Sequence, residues 1–321
     1  MTKAGGKRSS VVTPQDVQEA AAGLVGVAVR TPLRYVEPLD AYLKLENLQP
    51  MGAFKIRGAY TAIRRMPDDV RRHGVITYSS GNHGQAVAYA AQLVGVRAVV
   101  VMPETAPTVK VAGVKKWGGE VVFAGRTSDD RQRVAEEIAA RQGLAVVPPF
   151  DHPDIVAGQA TLGLEIAAAL PDVRTVVVPV GGGGLIGGVV TGLAAGGSRA
   201  AVWGVEPAGA PKLAQSLAAG RPVRLERTAS LADGLITLSV GAVPFAQLGA
   251  HRDRLAGVAL VDDVALREAV QFLWRHCRVA VEPSGAATTA ALRSGVIQPA
   301  PVPPTVLVVS GGNVDPALLE D

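Results

Sequence analysis

Four short stretches of the chain hold residues whose types and spacing could do chemistry. Lys55 stands in Met51-Gly52-Ala53-Phe54-Lys55-Ile56-Arg57-Gly58, an amine among apolar neighbours. An ordinary lysine titrates near ~10.4, so it serves as a nucleophile or base near neutral pH only where burial or nearby positive charge lowers that value. Ser79-Ser80-Gly81-Asn82-His83-Gly84 follows a β-branched run and opens a helical stretch. Free N–H groups and the dipole at such a helix start favour an anion. Gly181-Gly182-Gly183-Gly184 repeats that arrangement with glycines alone, and Ser310-Gly311-Gly312-Asn313 closes the last apolar run.

The glycine loop reads in more than one way. Backbone N–H groups in such a loop can hold a phosphate. It is not a P-loop, because no Gly-Lys-Ser/Thr follows. Gly182, Gly184 and Gly187 fit G-x-G-x-x-G, and Glu206 ends the next apolar run, about 20 positions on, the spacing of a dinucleotide site. That window alone describes an NAD-dependent dehydrogenase, with Glu206 on the ribose. A packing turn with no ligand is the plainer reading.

The elements that must position these residues follow a regular rhythm. Gly74–Tyr78, Ala98–Val101, Val121–Phe123, Ala145–Val147, Thr175–Val180, Ala201–Val205 and Thr305–Val309 read as strands. Between them Gln85–Leu93, Asp129–Arg141, Thr161–Leu170 and Leu185–Ala195 read as helices. Apolar strands alternating with helices predict an α/β fold with parallel sheets flanked by helices, and ligands at the carboxyl ends of strands. The chain has 321 residues, 48% of them hydrophobic and 19% charged, enough apolar material for two domains. Its net charge of +4 comes from scattered arginines with no interleaved aromatics, so a nucleic-acid partner is not expected. No apolar run approaches the ~18 residues of a membrane span. The single cysteine, Cys277, permits no internal disulfide and fits a cytoplasmic setting.

Taken together and in this order, Ala53–Gly58, Ser79–Gln85, the glycine loop and Ser310–Asn313 resemble the fold-type II pyridoxal-phosphate enzymes, in the branch of serine/threonine dehydratases and serine racemases. The resemblance runs from about Thr31 to Asp315. It implies a two-domain, tryptophan synthase β-like fold: a large domain of residues 1–73 and 152–321, and a small one of 74–151. It implies pyridoxal 5'-phosphate bound as an imine to Lys55, with Phe54 packed on the ring and Asn82 on the phenolic oxygen. Gly181, Gly182, Gly183, Gly184 and Leu185 then take the phosphate, and Ser310 faces the pyridine nitrogen. A carboxylate at that place would hold the nitrogen protonated, whereas a hydroxyl only shares a hydrogen bond. The milder electron sink suits β-elimination. Ser79, Ser80, Asn82 and His83 match the segment that receives the substrate carboxylate. Ser80, on the ring face opposite Lys55, is the candidate second catalytic group, and Arg131 matches an active-site arginine.

The implied activity is loss of water from L-threonine or L-serine to give a 2-oxo acid and ammonia. Serine racemase and 3-hydroxyaspartate dehydratase are alternatives within the branch. A homodimer with a small amino-acid substrate is expected. Only Val314–Asp321 follow the last motif, so an appended regulatory domain is not expected. The sequence departs from the family at one place. Relatives bind a divalent cation through a Glu, a carbonyl and an acidic residue; Glu206 and Ala210 match, but the acidic position is Lys212. An ammonium has the wrong charge to ligate a cation. No metal is expected, and Lys212 is expected to pair with Glu206 in its place.

Overall fold

The computed structural model describes residues 11–79, 81–106, 108–125, 128–298 and 302–320. In chain order the strands are β1 (Leu33–Val36), β2 (Ala41–Leu45), β3 (Val75–Tyr78), β4 (Ala98–Met102), β5 (Glu120–Phe123), β6 (Ala145–Val146), β7 (Thr175–Pro179), β8 (Ala201–Pro207), β9 (Leu255–Val261) and β10 (Thr305–Val309). They form two sheets, ordered β1-β2-β10-β7-β8-β9 and β5-β4-β3-β6. Every pairing is parallel except β1 with β2.

Strands β4, β7 and β10 are buried at every residue, as unbroken apolar runs require when helices cover both faces of a sheet. Successive side chains point to opposite faces. In the large sheet Val177, Val205 and Leu307 therefore meet Leu266, Leu273 and Ala287 of the helices Asp263–Cys277 and Pro283–Arg293. Val176, Val178, Val202 and Val308 face the other way, onto Leu162, Ile166, Val189 and Val190 of the helices Pro153–Ala169 and Gly184–Ala195. Those two helices pack backbone to backbone: a Cβ on Gly192 would lie 1.8 Å from the Ala160 carbonyl oxygen, so only glycine fits. In the small sheet Ile76, Val99 and Val101 cover Ala135, Ile138 and Ala139 of the helix Ser128–Gln142. On its other face Val75 meets Ala86, Val87 and Ala90 of the helix Asn82–Leu93.

The helix Ile56–Arg65 joins the two halves. Its Ile56, Ala59 and Ile63 share one cluster with Ala86 and Ala90 of the small-sheet side and Ile155 of the large-sheet side. Lys55 caps this helix, so its backbone is held by packing from both directions. The helix Pro153–Ala169 starts well before the expected Thr161, because Pro153 opens it and His152 Nδ1 accepts from the Asp154 N–H at 3.2 Å. The helix Asn82–Leu93 likewise begins inside the stretch read as a turn. No described helix is long and apolar enough to cross a membrane.

Candidate active site

The carboxyl ends of β3, β7 and β10 bring the four motifs together. The segment before Lys55 is stitched to the end of β10: Ala53 bridges Gly311, and the Phe54 N–H donates to the Ser310 carbonyl at 3.1 Å. The Lys55 amine is half-buried, donates to the Pro149 carbonyl at 2.8 Å and lies 5.2 Å from the centre of the Phe54 ring. Burial pulls its pKa down to about 8, against the opposing pull of the Glu282 charge. Desolvation disfavours the ammonium, which is how a lysine becomes a usable nucleophile near neutral pH.

Asn82 opens the helix after β3. Its Oδ1 accepts from Asn313 Nδ2 at 2.8 Å, and its Nδ2 donates to Glu282 Oε1. Ser310 is buried at the end of β10. Glu282 was not singled out from the sequence. It is 3% exposed, and burial first, then the Asp233 charge, push its pKa up to about 7, with Lys110, Asn82 and Lys55 opposing. An acidic residue just ahead of Pro-Ser-Gly and an alanine-rich run was the available signal, since a carboxylate there sits at a helix start.

The glycine loop lies beside the lysine. Gly183 takes φ +88°, a conformation costly for other residues. A Cβ on Gly182 would lie 2.2 Å from the Phe150 ring, and Phe150 directly follows the carbonyl that holds Lys55. The helix Gly184–Ala195 starts here with Leu185 buried, and the first N–H groups of a helix have no partner within it. None of the N–H groups from Gly181 to Leu185 has an acceptor in the loop and turn bonding of the described residues. Phe150 was the second residue not foreseen; its packing on the loop depends on contacts that no local pattern encodes.

His83 is 2% exposed, and its Nε2 donates to the Val147 carbonyl at 3.1 Å. A carbonyl only accepts, so the hydrogen sits on Nε2 and Nδ1 is a bare acceptor, with no partner among the described residues. Burial, then the nearby Lys55 charge, lower its pKa to about 3, so the ring stays neutral. A bare Nδ1 offers no hydrogen to a carboxylate held at this turn, which leaves donation to the turn's other groups. Ser79 Oγ accepts from the Gly81 N–H at 3.2 Å, shaping the turn. Ser80 lies outside the described residues. Arg131 sits in the first turn of the helix Ser128–Gln142, donating to Ser128 Oγ at 2.9 Å.

The dinucleotide reading of the glycine loop fails at Glu206. That carboxylate is fully buried: Oε1 accepts from Lys212 Nζ at 3.0 Å and the Leu213 N–H at 2.8 Å, and Oε2 from the Ala214 N–H at 3.0 Å. Nothing is left for a ribose. Lys212 Nζ also donates to the carbonyls of Ala210 and Val180, each at 3.1 Å, so one ammonium gathers three oxygens. Val180 immediately precedes the glycine loop, which this lysine therefore helps to hold.

A lysine amine poised near neutrality beside a loop of free N–H groups suits a phosphorylated carbonyl compound: the amine takes the carbonyl and the loop takes the phosphate. The sequence model of the pyridoxal-phosphate dependent enzymes matches residues 26–311, and the chain belongs to that family. It is 37% identical over 317 residues to an L-threonine ammonia-lyase of Thermotoga maritima, covering 97% of this chain and 78% of that protein. It is 36% identical to an L-threo-3-hydroxyaspartate ammonia-lyase of a Pseudomonas species, covering 94% and 95%. The solved structure of maize serine racemase superposes with a TM-score of 0.89 at 34% identity, covering 96% of each chain. The fold is thus that of the fold-type II enzymes, and pyridoxal phosphate is the cofactor.

Proposed function

We propose that the protein removes water from L-threonine, L-serine or both, giving a 2-oxo acid and ammonia, and that Lys55 carries the cofactor. The observation behind this reading is the Lys55 amine, with its lowered pKa, held between Phe54 and the Pro149 carbonyl next to the glycine loop. Pyridoxal phosphate supplies an electron sink for the charge left when the α-proton is removed. Phe54 would cover the ring, Asn82 would donate to its phenolic oxygen, and the N–H groups of Gly181, Gly182, Gly183, Gly184 and Leu185 would take the phosphate. Ser310 would share a hydrogen bond with the ring nitrogen without charging it, which favours elimination.

The turn from Ser79 to His83 receives the substrate carboxylate at the start of the helix Asn82–Leu93. With the cofactor bound, Lys55 would be the base that takes the α-proton, and the β-hydroxyl would leave as water with a proton returned from the site. Hydrolysis of the released enamine consumes one water and frees ammonia. Positioned acid–base help of this kind is worth about 10²–10⁴ in rate. The two sheets would be the cores of the two domains, 74–151 against the rest, with the site between them. Ser80 would stand across the ring from Lys55, Arg131 would approach from the small-domain side, and the protein would act as a cytoplasmic homodimer.

Serine racemization and 3-hydroxyaspartate cleavage remain second readings, because relatives of both kinds match at nearly the same identity. Steady-state assays over L-threonine, L-serine, D-serine and L-threo-3-hydroxyaspartate, with chiral analysis of recovered serine, test the proposal. A 2-oxo acid formed fastest from L-threonine or L-serine supports it. D-serine as the main product from L-serine, or turnover confined to 3-hydroxyaspartate, refutes it.

A further inference from the structure

Glu282 has no part in the reading above, yet it touches one of its residues, Asn82. It caps the helix Pro283–Arg293 and is buried. Its Oε1 accepts a hydrogen bond from Asn82 Nδ2, while Asn82 Oδ1 accepts from Asn313 Nδ2 at 2.8 Å. The Asn313 nitrogen is itself fixed, because it also donates to the Met51 carbonyl at 3.1 Å. An ionised carboxylate only accepts, so Glu282 dictates which end of the Asn82 amide is the nitrogen. The end of β10 locks the carboxyl in place: a Cβ on Gly311 would lie 2.2 Å from Oε1 and 3.0 Å from Asn82 Nδ2. The charged groups that act on Glu282 are Asp233, Lys110 and Lys55. Lys110, on the helix Thr108–Lys116 of the small-sheet side, is ion-paired with Asp233 and so blunts that acid's repulsion. Glu282 is in turn the charge that acts on Lys55.

We propose that Glu282 is a positioning residue of the cofactor site: its carboxyl group, packed against Gly311 and hydrogen-bonded to Asn82 Nδ2, orients the Asn82 amide. The inference rests on the assignment of Lys55 and Asn82 to the cofactor.

Three variants test it. Glu282→Gln keeps the shape and an acceptor oxygen, Glu282→Asp draws the carboxyl back by one methylene, and Glu282→Ala removes it. Orientation is read from cofactor affinity by visible absorbance, which should weaken about tenfold in Glu282→Ala, a hydrogen bond's worth, and recover most of the loss in Glu282→Gln. Unchanged affinity in Glu282→Ala, or a loss in Glu282→Gln as large as that in Glu282→Ala, overturns the positioning role. Should Glu282→Ala fail to fold, Glu282→Asp takes its place: weakened affinity supports the proposal and unchanged affinity overturns it. Failure of the underlying reading looks different: the unaltered protein would then take up no cofactor on Lys55 at all.

Discussion

Two lysine–glutamate corners sit at the ends of β8 and β10, one on each side of β7, and they are built in different ways. At the end of β8, Lys212 meets Glu206 directly and two carbonyls besides, and Glu206 takes two further N–H groups. Burial lowers the Lys212 pKa, but Glu206 pulls it back by charge and by hydrogen bond. At the end of β10, Lys55 has one carbonyl and feels Glu282 only through space. Its pKa drops to about 8, and that of Glu282 climbs to about 7. Burial alone therefore does not make a lysine reactive. The missing direct carboxylate does, because a desolvated ammonium without a close counter-charge gives up its proton.

The comparison can be broken by exchanging consequences between the corners. Lys55→Ala should abolish the visible absorbance of the bound cofactor and cost at least ~10²–10⁴ in rate while the melting temperature of the cofactor-free protein barely moves. Lys212→Met should do the reverse. It strands a buried Glu206, at a cost of about 3–5 kcal/mol in urea unfolding, whereas Lys212→Met with Glu206→Leu should recover much of the loss. Equal stability of the single and double variants would show that the pair is not the source.

A smaller effect concerns pH. The Lys55 amine is neutral above its pKa of about 8, so cofactor capture by the cofactor-free protein should speed up several-fold between pH 7 and pH 9 and then level off. The same lowered pKa means that the unfolded chain binds more protons than the native one above about pH 8. Stability should thus rise with pH there, and Lys55→Met should flatten the slope. A capture rate that is flat across this range would contradict the lowered pKa. The smallest expected effect is none: because the Lys212 ammonium already takes Glu206 and the Ala210 carbonyl, exhaustive chelation should leave activity unchanged, and stoichiometric bound magnesium or calcium would overturn that expectation.

Much of the candidate site was legible because it lies in strand-to-helix turns whose residues adjoin in sequence. The glycine loop, the Ser79–Gly84 turn and Ser310 each end an apolar run, and the fold needs only to align those ends. What resisted reading depends on pairs far apart in the chain. Glu282 meets Asn82 across 200 positions, and Phe150 meets the glycine loop only once β7 stands beside the segment leaving β6. The nicotinamide spacing shows the opposite fault. Its glycines and its acid stand at the right intervals, but Lys212, six residues past Glu206, turns that acid inward. Spacing does not register which way a side chain faces. The strands β1, β2 and β9 were missed because their apolar pattern is broken: β1 and β9 lie at the sheet edges and are only partly buried, and β2 carries Lys44 among its apolar residues.

The central claim is that Lys55, and not another lysine, holds the cofactor. Borohydride reduction of the cofactor-loaded protein, followed by digestion and mass mapping, tests it directly. One pyridoxyl group per chain on the peptide containing Lys55 is the expected result. A label on Lys110, Lys212 or spread over surface lysines, with Lys55 unmodified, would contradict it.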